Sequence, residues 1–263
     1  MKKASIQLVS LQESTGTVGR DHTTRHRYER FFFSGMALLI FGSVFLGFAH
    51  SYYLAGIFKA PLPNLLIQIH GAVFSLWILF LLTQTSLVAI GRTDVHRRLG
   101  LLGFGLACLM VVLGVMAATD HLIRGSASGQ AGVAARAFYT VTLSTMLSFS
   151  ILIYLAFLQR YNSSAHKRLI LIATIAICDA AFQRWPISHA HWGEQTAALV
   201  CTVPLLLLIA AYDYWSLGRV HRATIWASIL VVGLQQIRDP IGRSPLWQMF
   251  AAWVQSHLSR HPG

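Results

Sequence analysis

The residues of this sequence that could do chemistry are ionisable side chains set inside long apolar runs. His70 lies six residues past Asn64, roughly 9 Å below the edge of a helix that rises 1.5 Å per residue. Asp179 lies five residues before Arg184, roughly 7–8 Å below the same edge by the same rise. Gln183 follows Asp179 at i+4, on the same helical face. His70, Trp77 and Gln84 recur every seven residues and share a stripe, and His50 closes the preceding apolar run. Groups of this kind are costly inside a bilayer and usually functional. Three chemistries are open. The first is a hydrogen-bonded polar pair, His70 with Asp179, that fixes helix register. The second is a haem b or transition-metal site that uses His70 with His50, Asp179, His189 or His191. The third is a substrate or proton path lined by His70, Asp179 and Gln183. Haem ligation needs two histidines facing each other at matching depth. Zinc or copper needs three or four N or S donors. His189-Ala190-His191 is a weak metal signal, which a wet interfacial loop between Trp185 and Trp192 explains equally well.

A second set of histidines sits in three related turns. Arg92 precedes His96-Arg97-Arg98-Leu99, Arg160 precedes His166-Lys167-Arg168-Leu169, and Arg219 precedes His221-Arg222. Each turn closes one helix with a cation and opens the next with histidine followed by cations. Asp94 and Ser163 or Ser164 are expected N-caps. Lys and Arg at such positions anchor to lipid phosphates at about 1 kcal/mol each. A three-histidine ligand set is the competing reading, and the adjacent cations, which repel a metal ion, count against it. Asp213, near the end of the sixth run, can be neutralised by the cations of these turns.

Ile69-His70-Gly71, Trp77, Arg92, His96-Arg97-Arg98-Leu99-Gly100, His166-Lys167-Arg168-Leu169 and Arg184-Trp185-Pro186 together resemble a family of bacterial multi-pass membrane proteins of unknown function. That family pairs an early span histidine with two histidine-led helix starts. The likeness covers roughly residues 65–186. It implies a bacterial inner-membrane location, with an analogy to membrane b-type cytochromes and oxidase-assembly proteins.

The elements that must position these residues follow from composition. The chain has 263 residues, 55% hydrophobic and 11% charged, against about 25% charged in ordinary soluble domains. Mean hydropathy is +0.56, and the formal charge is +12. Five stretches reach the roughly 20 apolar residues that a span needs: Phe31–Tyr53, Leu65–Ile90, Leu99–Thr119, Phe138–Leu158 and Thr196–Leu217. Leu169–Gln183 and Ala223–Gln236 are shorter, and basic residues at their starts can extend them. The expectation is an all-α bundle of about seven transmembrane helices over 31–237. A basic cytoplasmic tail over 1–30 precedes it, and an exoplasmic tail over 238–263 holds an interfacial amphipathic helix. Of the 21 Lys and Arg, 14 fall in the tail and the three turns, which puts the N-terminus in the cytoplasm and the C-terminus outside.

Several function classes are excluded. No span contains Lys, so a retinal Schiff base has no attachment point. HExxH and a Walker-type phosphate loop are also missing. No basic face interleaved with exposed aromatics suggests nucleic acid. Cys108, Cys178 and Cys201 lie singly in apolar runs and read as packing residues. The leading expectation is a non-enzymatic structural, accessory or assembly component whose partners are the lipid bilayer and another membrane complex. The competing ones are the haem or metal redox protein and a transporter of protons or a small molecule.

Overall fold

The computed structural model describes residues 28–61, 63–125, 129–185 and 194–258, the side chains of 194–198 excepted. The first helix, α1 (Tyr28–Tyr53), ends in a π-helical turn at Ala49–Tyr53 and is followed by the short α2 (Ala55–Phe58). The long helices α3 (Leu65–Ala89), α4 (Thr93–Arg124) and α5 (Gly129–Leu158) come next. Then follow α6 (Ser163–Ile177), its one-turn continuation α7 (Asp179–Phe182), α8 (Glu194–Leu217), α9 (Arg222–Arg243) and α10 (Pro245–Leu258). No strand occurs among the described residues.

Turn chemistry sets the boundaries. Gly91 (φ 83°) and Gly218 (φ 69°) end α3 and α8 in the left-handed conformation, which costs glycine no Cβ clash. Asn64 accepts from the Ile67 N–H to cap α3, and Asn162 accepts from the Ala165 N–H to cap α6. His221 caps α9, its ring Nδ1 accepting from the Ala223 N–H. The expected caps Asp94 and Ser163 or Ser164 therefore lie inside first turns, because both helices start earlier than the sequence suggests. There Asp94 still meets the positive end of the helix dipole. Helix α9 likewise runs past the expected limit at 237 to Arg243. Pro240 removes only one backbone donor, and Asp239 pairs with Arg243 at i+4 across the last turn.

The helices pack as a bundle whose three basic turns and the start of α1 gather at one end, called here the basic end. Tyr28 meets Trp215 there, and Lys167 pairs with Glu29. Helix α4 packs between α3 and α5, while α5 also lies against α6 and α9. Helix α6 is the centre. It is buried from Arg168 through Ile177 except Ile170, as expected of a helix apolar all round. Phe149, Ile172, Ile175 and Met110 are fully buried in the core. Leu38, Leu102, Val112 and Leu207 face outward, so the outer surface is compatible with lipid.

Among the described residues, five helices are long and apolar enough to cross a membrane: α1, α3, α4, α5 and the Leu199–Leu217 part of α8. Helix α6 has 15 residues, and α9 carries Gln235, Gln236, Arg238 and Asp239 in its second half. At the far end α10 lies against α4 and α5. Gln255 is buried and donates from Nε2 to the carbonyls of Leu122 and Gly125, at 2.8 and 3.1 Å, closing the end of α4. Leu246, Met249, Phe250 and Trp253 make the exposed face of α10, while Trp247 and Val254 pack on Leu122 and Tyr139.

Candidate functional site

Two polar layers clamp α6, α8 and α9 together. At the basic end Arg168 of α6 donates from Nε and Nη2 to Asp213 Oδ1 of α8, at 2.8 and 2.5 Å. Its Nη1 donates to the Ser164 carbonyl at 2.7 Å. Asp213 Oδ2 accepts from Thr224 Oγ1 of α9 at 2.5 Å and from the His221 backbone N–H at 3.1 Å. At the far end Asp179 of α7 accepts from Arg238 Nη1 and Gln235 Nε2 of α9, at 2.6 and 2.7 Å. Thr202 Oγ1 of α8 donates to Asp179 at 3.3 Å. Each layer thus takes an Arg, an Asp and a Thr from three different segments. Residues 168 and 179, 202 and 213, and 224 and 235 are each 11 apart, about three helical turns or roughly 16 Å. One face of each helix therefore carries both layers. A buried charge needs such a partner, and these carboxylates are fully used.

The other half of the bundle is built differently. A cavity of about 100 Å³ lies between α3, α4, α5 and α6 near the basic end. Its walls are mostly apolar and aromatic: Trp77, Phe80, Leu81, Phe104, Ile153, Phe157 and Ile170. Three polar side chains join them, Gln84, His96 and His166. Gln84 is 8% exposed, and neither its amide nitrogen nor its oxygen has a partner among the described residues. His96 Nδ1 is also buried without a partner. The His96 and His166 rings sit 6.4 Å apart at 82°. His166 Nδ1 lies 2.8 Å from the Ala156 carbonyl, so in the neutral ring Nδ1 carries the hydrogen and Nε2 accepts. Trp77 donates from Nε1 to Thr174 Oγ1 at 3.2 Å, tying α3 to α6.

Gln84 lies five residues before the end of α3, roughly 7–8 Å inside the bundle at 1.5 Å per residue. Unpaired buried amides are rare, because each unmet hydrogen bond costs about 1–3 kcal/mol. An orphan amide on a cavity wall has hydrogen-bonding capacity that a small molecule or water in the cavity can meet. The arrangement is apolar walls with a few convergent polar groups, the usual make-up of a small-molecule pocket.

The residues expected to do chemistry separate accordingly. Asp179 pairs with Arg238, Gln235 and Thr202, and no hydrogen bond joins it to His70. His70 packs its ring on Phe74, 4.1 Å between centroids, with Nδ1 buried and unpaired. His50 is exposed against Phe58 on the π-helical turn. Gln183 is half-buried, and Arg184 donates to the Ala180 carbonyl and lies over Phe48. The three turn histidines do not converge. His96 and His166 share the cavity, while His221 caps α9 beside Asp213. Arg98 is exposed, whereas Arg168 turns inward to Asp213. His189 and His191 lie outside the described residues. Among the described residues no three of His, Cys, Asp and Glu converge to hold a metal ion.

A smaller cavity of about 10 Å³ touches the far layer between Ser144, Thr145, Ser148 and Arg238, about the room for one water. Arg238 Nε has no hydrogen-bond partner among the described residues. No protein-family model matches the chain, and no curated protein or solved structure is significantly similar to it.

Proposed function

We propose that the chain is a seven-helix protein of the bacterial inner membrane, an accessory or carrier component that holds a small lipophilic molecule in the cavity between α3, α4, α5 and α6. The observation that carries this reading is Gln84, a buried amide unpaired at both atoms on the wall of an apolar cavity that two imidazoles share. Seven spans count α6 with α7, and α9, alongside the five longer helices. Both connect the basic end to the far end, and 22 residues of α9 reach about 33 Å at 1.5 Å each. The clustered Lys and Arg put the basic end in the cytoplasm, with α10 outside. The inner membrane is assigned from the resemblance of residues 65–186. Haem or metal chemistry has weaker support, since the cavity offers two imidazoles and a volume far below that of a porphyrin.

The test uses the purified chain in nanodiscs with a panel of single-ring lipophiles: toluene, phenol, hydroquinone and duroquinone. Trp77 on the cavity wall reports binding through quenched emission. A Cβ added at Gly100, which lines the cavity, would meet no atom within 4 Å, so Gly100→Leu should fill the site without loss of thermal stability. Ring binding in the low micromolar to millimolar range, lost in Gly100→Leu, is expected. No binding of any ring up to millimolar concentration overturns the reading. Reporter fusions after residues 91, 161 and 219 should be cytoplasmic, and one after 258 exoplasmic. Any other pattern refutes the seven-span arrangement.

A further inference from the structure

We infer that the cavity takes the headgroup of a membrane quinol, an aromatic ring bearing two hydroxyl groups, and this rests on the reading just proposed. Size comes first. A cavity of about 100 Å³ matches one ring in scale, since a dry protein cavity of about 150 Å³ admits benzene. Shape comes second. Trp77, Phe80, Phe104 and Phe157 supply aromatic walls, and aromatic faces favour a flat ring packed by offset stacking or edge contact.

Polarity decides the class. The Gln84 amide offers two N–H donors and a carbonyl acceptor with no partner of their own. His166 keeps Nδ1 on the Ala156 carbonyl and presents Nε2 as an acceptor. His96 Nδ1 is a second group with no partner among the described residues, a donor or acceptor according to its tautomer. A plain hydrocarbon would leave Gln84 and His96 Nδ1 unmet, and a purely acceptor ligand would give His166 Nε2 no donor. A ring hydroxyl answers both needs, because its hydrogen goes to an imidazole nitrogen and its oxygen accepts from the amide. An anionic ligand fits poorly, since no Lys or Arg is among the described residues that line the cavity.

The opening points to the bilayer as the source. Gly100 stands on the cavity lining and is exposed, and the next two residues, Leu101 and Leu102, are 67% and 65% exposed. A tail left outside the mouth would therefore lie among apolar side chains.

The same nanodisc assay tests this. Duroquinol and phenol should bind at least tenfold tighter than toluene, and Gln84→Leu should erase that preference while toluene still binds. A decyl-chain quinol in the bilayer should bind at least tenfold tighter than its tail-free counterpart. If all rings bind equally, or Gln84→Leu keeps the preference, the quinol assignment fails while the cavity remains a ligand site. If nothing binds, both readings fail. Equal affinity with and without the tail assigns the site to a water-soluble phenol and overturns the membrane quinol. His166→Gln, which retains an acceptor, should keep measurable preference, whereas His166→Phe should lower it. Equal effects of the two substitutions also count against the inference.

Discussion

Replacing Asp213 by alanine removes one carboxylate and strands four donors. Arg168 is 1% exposed and loses its contacts from Nε and Nη2, keeping only those of Nη1 to Ser164. The Thr224 hydroxyl and the His221 N–H lose their acceptor as well. Breaking one side of a buried pair costs about 3–5 kcal/mol, because the surviving charge stays buried and uncompensated. Two further lost hydrogen bonds push Asp213→Ala toward the upper end of that range. Chains of 150–250 residues lose roughly 2–4 °C per kcal/mol, so the midpoint should fall by about 6–20 °C. The assay is thermal unfolding in detergent followed by far-UV circular dichroism. The loss should be insensitive to salt, since buried pairs are weakly screened. The double variant Arg168→Met/Asp213→Leu removes both charges and should recover most of the loss, as apolar replacements of buried pairs usually do. A drop of less than about 2 °C in Asp213→Ala, or a double variant as unstable as the single, would refute the clamp.

At the far end Asp179→Asn should destabilise the protein by unpairing Arg238, while His70→Ala, which breaks no hydrogen bond to Asp179, should cost less in the same unfolding assay. Equal losses would restore the expected His70–Asp179 pair. Burial, with help from the Arg168 guanidinium, holds the His221 ring below its ordinary pKa, Asp213 opposing. The folded state therefore binds this proton less readily than the unfolded one, and stability is complete above about pH 6.5 and lost as pH falls below it. His221→Asn, which keeps a capping oxygen, should show a shallower fall in midpoint between pH 7.5 and 5 than the wild type, and parallel curves would contradict this. Gln255→Leu should loosen the end of α4 by leaving the Leu122 and Gly125 carbonyls short of a donor, at about 1–3 kcal/mol. Faster amide exchange at the junction of α4 and α5 would report it, and unchanged exchange would count against it.

Much of the fold was legible because long apolar runs bounded by glycine and cations have few other solutions. The runs at 65–90, 99–119 and 138–158 became α3, α4 and α5, although α4 is longer at both ends (93–124) and α5 starts nine residues earlier, at Gly129. The clamps were half legible. Asp179 and Asp213 stood out as acids in apolar surroundings, but their partners were assigned by depth alone, which led from Asp179 to His70. Depth along one axis does not fix which helix lies adjacent. The missed signal is periodic: an Arg or Asp at 168 and 179, a Thr or Asp at 202 and 213, and a Thr or Gln at 224 and 235 share one spacing. The cavity was less legible still. His96 and His166 look like headgroup anchors because each is followed by cations, Arg97 and Arg98 in one turn and Lys167 and Arg168 in the other. Only the packing of α6 against α3 and α5 brings the two rings together with Gln84.

Helix α6 stands between the clamped half of the bundle and the half that holds the cavity. Its residues His166, Ile170 and Thr174 follow at i, i+4 and i+8, so they form one stripe, and that stripe faces the cavity and Trp77. Arg168 stands two residues from His166, about 200° further round the helix, and so faces α8 and α9. Asp179 continues that second face across the short break at Cys178. The two layers at either end of the second stripe fix both the rotation and the height of α6. That fixation places His166 and Ile170 on the cavity wall and Thr174 against Trp77, and a shift of one residue would swing all three away. Buried ion pairs contribute little net stability over apolar packing, so stability alone does not account for two of them on one helix. Their geometric effect is to hold α6 in one register against α8 and α9, and the cavity proposed as a ligand site on the opposite face depends on that register.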